Sequence, residues 1–64
     1  MLIETKRQME YIQFINNRGN IENHMNVMSK NVEIEKNKLK AGKYLLGLKL
    51  DGYSQIEFVN VIVE

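Results

Sequence analysis

Apolar residues recur every three or four positions in the first half of this chain and every second position in the last half. In the first half, Met9, Ile12 and Ile15 are spaced by three. Tyr11 and Phe14 widen them into a broad apolar arc, a helical pattern that asks to be covered on more than one side. Thr5-Lys6-Arg7-Gln8 fits a capping box, with Gln8 reaching back to the cap. Lys6 and Arg7 oppose the positive end of the helix dipole. Gly19 can take the left-handed conformation that ends such a helix. Asn20 can cap a second one over 20–31. There Ile21, Met25, Met28 and Val32 fall within roughly 60° of one another on a helical wheel. The segment is also rich in Asn, a poor helix former, so the competing assignment is an irregular or extended segment running into the first strand.

From Asn31 the period becomes two. Val32 and Ile34 alternate with Glu33 and Glu35; Tyr44, Leu46 and Leu48 with Leu45, Gly47 and Lys49; Ile56 and Phe58 with Gln55 and Glu57. Three strands joined by short turns predict an antiparallel meander. A three-residue loop Leu50-Asp51-Gly52, with Gly52 left-handed at a bulge, sets Leu48 by Ser54, Leu46 by Ile56 and Tyr44 by Phe58. By the same parity Ile34 pairs with Tyr44. The predicted fold is α+β, a single domain spanning 1–64, with one or two N-terminal helices packed on a three-stranded antiparallel β-meander. Its predicted core is Met9, Ile12, Ile15, Met25, Met28, Val32, Ile34, Tyr44, Leu46, Leu48, Ile56 and Phe58.

At 64 residues, a chain buries only about 60% of the surface it exposes unfolded. Small domains therefore lean on disulfides, metals or partner subunits. The sequence has no cysteine and a single histidine, His24, so disulfides, thiolate metal sites and histidine-rich metal sites are excluded. Oligomerisation remains as the stabilising device. A net charge of +1 gives no global drive toward nucleic acid or an anionic membrane. With no signal-like apolar run at the start and no membrane-length segment, the protein is expected to be cytoplasmic. It begins at Met1 without a tag-like stretch and is expected to be a whole gene product. Asn, Ile and Lys make up about a third of the residues, a bias of AT-rich codons that points toward a low-GC bacterium or its phage.

No catalytic constellation emerges, and no cofactor is expected. Gly42-Lys43 lacks the earlier glycine and the following Ser or Thr of a phosphate-binding loop, since Asn37 and Tyr44 stand there. Ser29 and Ser54 have one histidine and one aspartate, Asp51, to draw on, and Asp51 is assigned to a turn. Glu33 and Glu35 share a strand face, the usual place for solvated charge. His24 reads first as a partly exposed residue beside the apolar seam, and only second as a ligand or pH sensor. Lys36, Lys38, Lys40 and Lys43 form the one basic cluster, without arginine or stacked aromatics; it reads as a solvated loop before it reads as a phosphate contact.

The function expected is that of a small non-catalytic protein-binding regulator, inhibitor or adaptor, of the kind phages and mobile elements encode. It would act as a homo-oligomer and bind another protein. The alternative is a DNA-binding transcriptional regulator using the 20–31 helix, with Asn23, Asn26 and Lys30 offered to the major groove. Lys36, Lys38 and Lys40 are further candidate contacts for nucleic acid or partner. In the predicted register Leu45, Val59, Val61 and Val63 form a second apolar patch on the C-terminal edge strand, the expected oligomer interface. A bulge near Asn60 would instead turn these valines inward.

Overall fold

The computed structural model of the protein describes the backbone of residues 1–64 and every side chain except that of Lys36. It is all-β. Strands β1 (Leu2–Ile15), β2 (Ile21–Glu33), β3 (Gly42–Leu50) and β4 (Ile56–Val63) form one antiparallel sheet in the order β2-β1-β3-β4. The expected α+β fold is not observed. Both expected helices are the two arms of a hairpin, and the only helical turn among the described residues is a 3-10 turn at Lys36–Lys38. The expected first strand is the tail of β2. Ile34 exchanges backbone hydrogen bonds with Met1, not Tyr44, and the neighbours of β3 are β1 and β4.

The composition of β1 suits a strand, because Thr, Tyr, Ile and Phe fit a pleated, half-buried surface. Its turn is specified locally. The Asn16 side-chain carbonyl accepts from the backbone N–H of Arg18 (2.9 Å) and Asn20 (3.0 Å). Gly19 sits at φ 85°. Asn16 N–H donates to Asn20 C=O at 2.8 Å, closing the loop.

A straight 14-residue strand would run to about 46 Å, yet the longest dimension of the molecule is 31 Å. The hairpin therefore curls. Its pairing runs Leu2↔Glu33 to Glu4↔Asn31, then resumes at Met9↔Ser29. Four residues of β1, Thr5 to Gln8, stand against Lys30 alone. That excess bends the ribbon, and the sequence resembling a capping box is this bulge. Thr5 Oγ1 donates to Arg7 C=O. Gln8 C=O accepts from Asp51 N–H at 2.8 Å. The Arg7 guanidinium lies 4.7 Å from the Tyr53 ring centre. A second irregularity follows at Glu10, where the registers with β2 and β3 both shift.

The curl gives the sheet an inner and an outer face. Met9, Ile12, Phe14, Tyr44, Leu46, Leu48 and Leu50 are buried inside, closed over by Ile34 and Leu39. Met1, Ile3, Met25, Val27 and Val32 pack at the margin. Phe14 meets Tyr44 edge-on at 6.2 Å, and the Tyr44 hydroxyl donates to Lys40 C=O at 2.8 Å, fastening the 34–41 crossover. Each such large apolar side chain contributes about 1.5–3 kcal/mol by burial. Six of the twelve expected core residues are buried: Met9, Ile12, Ile34, Tyr44, Leu46 and Leu48. Met25 and Val32 are half-buried, Ile15 and Ile56 lie on the outer face, and Met28 and Phe58 are exposed.

The β3–β4 register also differs from expectation. Leu50 C=O accepts from Tyr53 N–H at 3.2 Å, and Gly52 has φ 84°, so the turn is a four-residue one with glycine third. Five residues, 51–55, separate the strands. Tyr44 consequently faces Val61, Leu46 faces Val59 and Leu48 faces Glu57. This is an odd-numbered shift from the expected pairs, and it exchanges the two faces of β4.

Candidate interaction surface

The outer face can be read row by row from the pairing. Ile21, Ile15, Leu45 and Asn60 form one row across the four strands; His24, Gln13, Gly47 and Phe58 the next; Asn26, Tyr11, Lys49 and Ile56 the third. Beyond the first row, Lys43 faces Ile62. Among the described residues no element packs over this face. Phe58 is 54% exposed, Ile62 69% and Ile21 56%.

Its β2 side is polar and internally satisfied. Gln13 Nε2 lies 3.1 Å from His24 Nδ1, and His24 Nε2 lies 3.3 Å from Asn26 Oδ1. Both contacts are met when the imidazole proton is on Nε2. The Tyr11 ring lies against the imidazole at 5.0 Å. His24 is thus a strand residue held by its neighbours. Lys49 Nζ pairs with Glu10 Oε2 at 2.8 Å. Toward β4 the surface becomes apolar. A Cβ on Gly47 would stand 3.3 Å from both the Phe58 ring and Ile56; the absent side chain is what leaves room for the Phe58 ring beside β3. Cross-strand aromatics cover strand glycines in this way.

The two free edges of the sheet differ. The β2 edge carries Glu22, Lys30 and Glu33, is broken by register shifts, and holds Met28 in a left-handed conformation at φ 53°. Charges and bulges discourage strand addition. The β4 edge pairs without interruption from Ile56 to Val63, contains no proline, and has Glu57 as its one charge.

The residues singled out from sequence are redistributed by this fold. Leu45 is on the outer face, whereas Val59, Val61 and Val63 turn to the inner one. Val61 and Val63 pack against the core, while Val59 remains 46% exposed. The four therefore do not make one patch. The edge strand is the expected one, but its outward apolar residues are Ile56, Phe58 and Ile62. Phe58 and Ile56, placed in the core by the assumed register, could have been found only from the correct loop length.

The reading helix expected at 20–31 is strand β2, so the DNA-binding mechanism built on it does not stand. Asn23 pairs with buried Phe14 and points inward, Asn26 pairs with Tyr11 and points outward, and Lys30 faces the bulge. Lys38 and Lys40 are exposed on the 34–41 crossover; the Lys36 side chain lies outside what the structure describes. A cleft of about 280 Å³ opens at the rim between Met1, Ile34 and Leu39 on one side and Ile62 and Val63 on the other. Among the described residues no three His, Asp or Glu side chains gather closely enough to hold a metal ion, and no helix is long and apolar enough to cross a membrane.

No protein-family model, no curated protein and no solved structure matches this chain.

Proposed function

We propose that this protein is a small protein-binding module, a regulator, inhibitor or adaptor, that acts as a homo-oligomer and engages its partner along β4 and the outer face beside it. One observation carries the reading: the uninterrupted β4 edge lies next to exposed Phe58 and Ile62 on a face that the chain leaves uncovered. Edge strands present unpaired N–H and C=O groups, and natural proteins blunt those they keep in water. An adjoining apolar surface adds side-chain contacts to the backbone ladder, the combination used in strand-addition recognition. Lone exposed apolar residues need no explanation; Phe58 and Ile62 lie two strand steps either side of Asn60 on one edge.

The test is sedimentation of the wild type and of Ile62→Lys at micromolar to high micromolar concentration. Ile62 is the better target because Val61 packs on the core, where a lysine would disturb folding as well as association. The wild type should associate. The variant should remain monomeric and folded by circular dichroism, with a melting midpoint that, unlike the wild type's, does not rise with protein concentration. A wild type that stays monomeric throughout, or a variant that associates equally well, refutes this reading.

A further inference from the structure

We infer that the occupant of the β4 edge is β4 of a second copy, paired antiparallel about a two-fold axis through Asn60, so that two four-stranded sheets join into one of eight strands. This rests on the reading of β4 as the binding edge and goes further by naming the partner and the register.

The strand reads Glu57-Phe58-Val59-Asn60-Val61-Ile62-Val63, nearly a palindrome in character about Asn60. A two-fold axis perpendicular to the sheet keeps both outer faces on the same side. Residues of like facing must then pair, and the axis must pass through a residue pair. With Asn60 on the axis, Phe58 of each copy meets Ile62 of the other on the outer face. Val59 meets Val61 on the inner face. The single charge, Glu57, stands at the end of the ladder opposite Val63, away from its own counterpart.

Neighbouring axes do worse. An axis through Val59 sets Phe58 against Asn60 and brings Glu57 in toward the centre, opposite Val61. One through Val61 sets Asn60 against Ile62 and Phe58 against Glu64. Only the Asn60 register matches apolar to apolar at every position from 58 to 62 except its centre. There the two exposed Asn60 amides can each donate Nδ2–H to the other's Oδ1. A lone polar pair on an apolar seam is a known way to fix register. The β2 edge has no such symmetry and is interrupted by Met28 and its bulges.

The chain has no cysteine, so single cysteines report pairing cleanly. Directly opposed residues in an antiparallel ladder have Cα atoms within disulfide range. Under mild oxidation of the full chain, Asn60→Cys should form a covalent dimer more than about tenfold faster than the loop control Ser54→Cys, since the paired thiols meet at high effective concentration. An equimolar mixture of Val59→Cys and Val61→Cys should yield the mixed disulfide in preference to either homodimer, and circular dichroism should show that the variants are folded. A wild type that sediments as a dimer while Asn60→Cys reacts no faster than the control, and the mixture shows no preference, overturns the register but leaves the homo-oligomer standing. A chain that is monomeric at high micromolar concentration overturns both.

Discussion

Replacing Asn16 tests how the long hairpin is started. Its Oδ1 accepts from two backbone N–H groups of the loop, those of Arg18 and Asn20, and its Nδ2 donates to Glu22 Oε1 at 2.8 Å. A typical hydrogen bond contributes a net ~0.5–1.5 kcal/mol. These are exposed, so the low end applies, and Asn16→Ala should cost about 1–1.5 kcal/mol. For a chain of this size the urea slope is about 1 kcal/mol/M, so the unfolding midpoint should fall by about 1 M. Asn16→Asp keeps both acceptor bonds, loses the donation and sets two carboxylates side by side. It should cost about half as much, and added salt should narrow that gap because the repulsion is screened. The alanine gap should be indifferent to salt. Equal losses for Asp and Ala at high salt would show that the carbonyl contacts do not hold the loop.

Met28→Gly should raise the melting midpoint, by roughly 0.5–1 kcal/mol of stability, because a left-handed non-glycine residue is strained and this one has little packing to lose; a lower midpoint would contradict that. Gly52→Ala should cost about 1 kcal/mol and Gly52→Asn less, since only the backbone at φ 84° resists the new Cβ, whose nearest neighbour is Arg7 Nη2 at 3.6 Å; equal, negligible losses in urea titrations would refute this. Phe14→Ala should leave the chain unfolded by circular dichroism. Its expected cost of about 3–5 kcal/mol matches the roughly 3–5 kcal/mol that a core of this size supplies, whereas Phe14→Leu should fold.

The strands from Gly42 onward were legible in the sequence because β3 and β4 lie in regular, bulge-free pairing, where inward and outward residues alternate strictly. The first half misled for the opposite reason. The extra residue at Glu10 makes successive inward positions of β1 fall at Met9, Ile12 and Phe14. That spacing of three, then two, imitates a helix over its first step. In β2 the apparent seam of Ile21, Met25, Met28 and Val32 is split between exposed and half-buried positions by the register shift between Phe14 and Ile15 and by the distortion at Met28. Asn16-Asn17-Arg18-Gly19-Asn20 carried the right signal, a glycine-containing connection of hairpin length, but the same residues also suit a helix stop and a helix cap. The Asn-rich composition of 20–31, which argued against a helix, was the better guide. The edge strand was identifiable from its lack of guarding charge; which of its residues face outward was not, because that depended on the length of the turn at Gly52.

The strand order β2-β1-β3-β4 also sets the sequence of events in folding. Each outer strand pairs only with its neighbour along the chain, so both hairpins can close locally within microseconds. The β1–β3 seam alone joins strands that are not consecutive in the chain, pairing residues such as Ile12 and Leu48. Docking one preformed hairpin on the other is therefore the slow step, and the segment from Glu35 to Ala41 acts as its tether. Lengthening that tether would slow folding only gradually, because the entropy of closing a loop grows with the logarithm of its length.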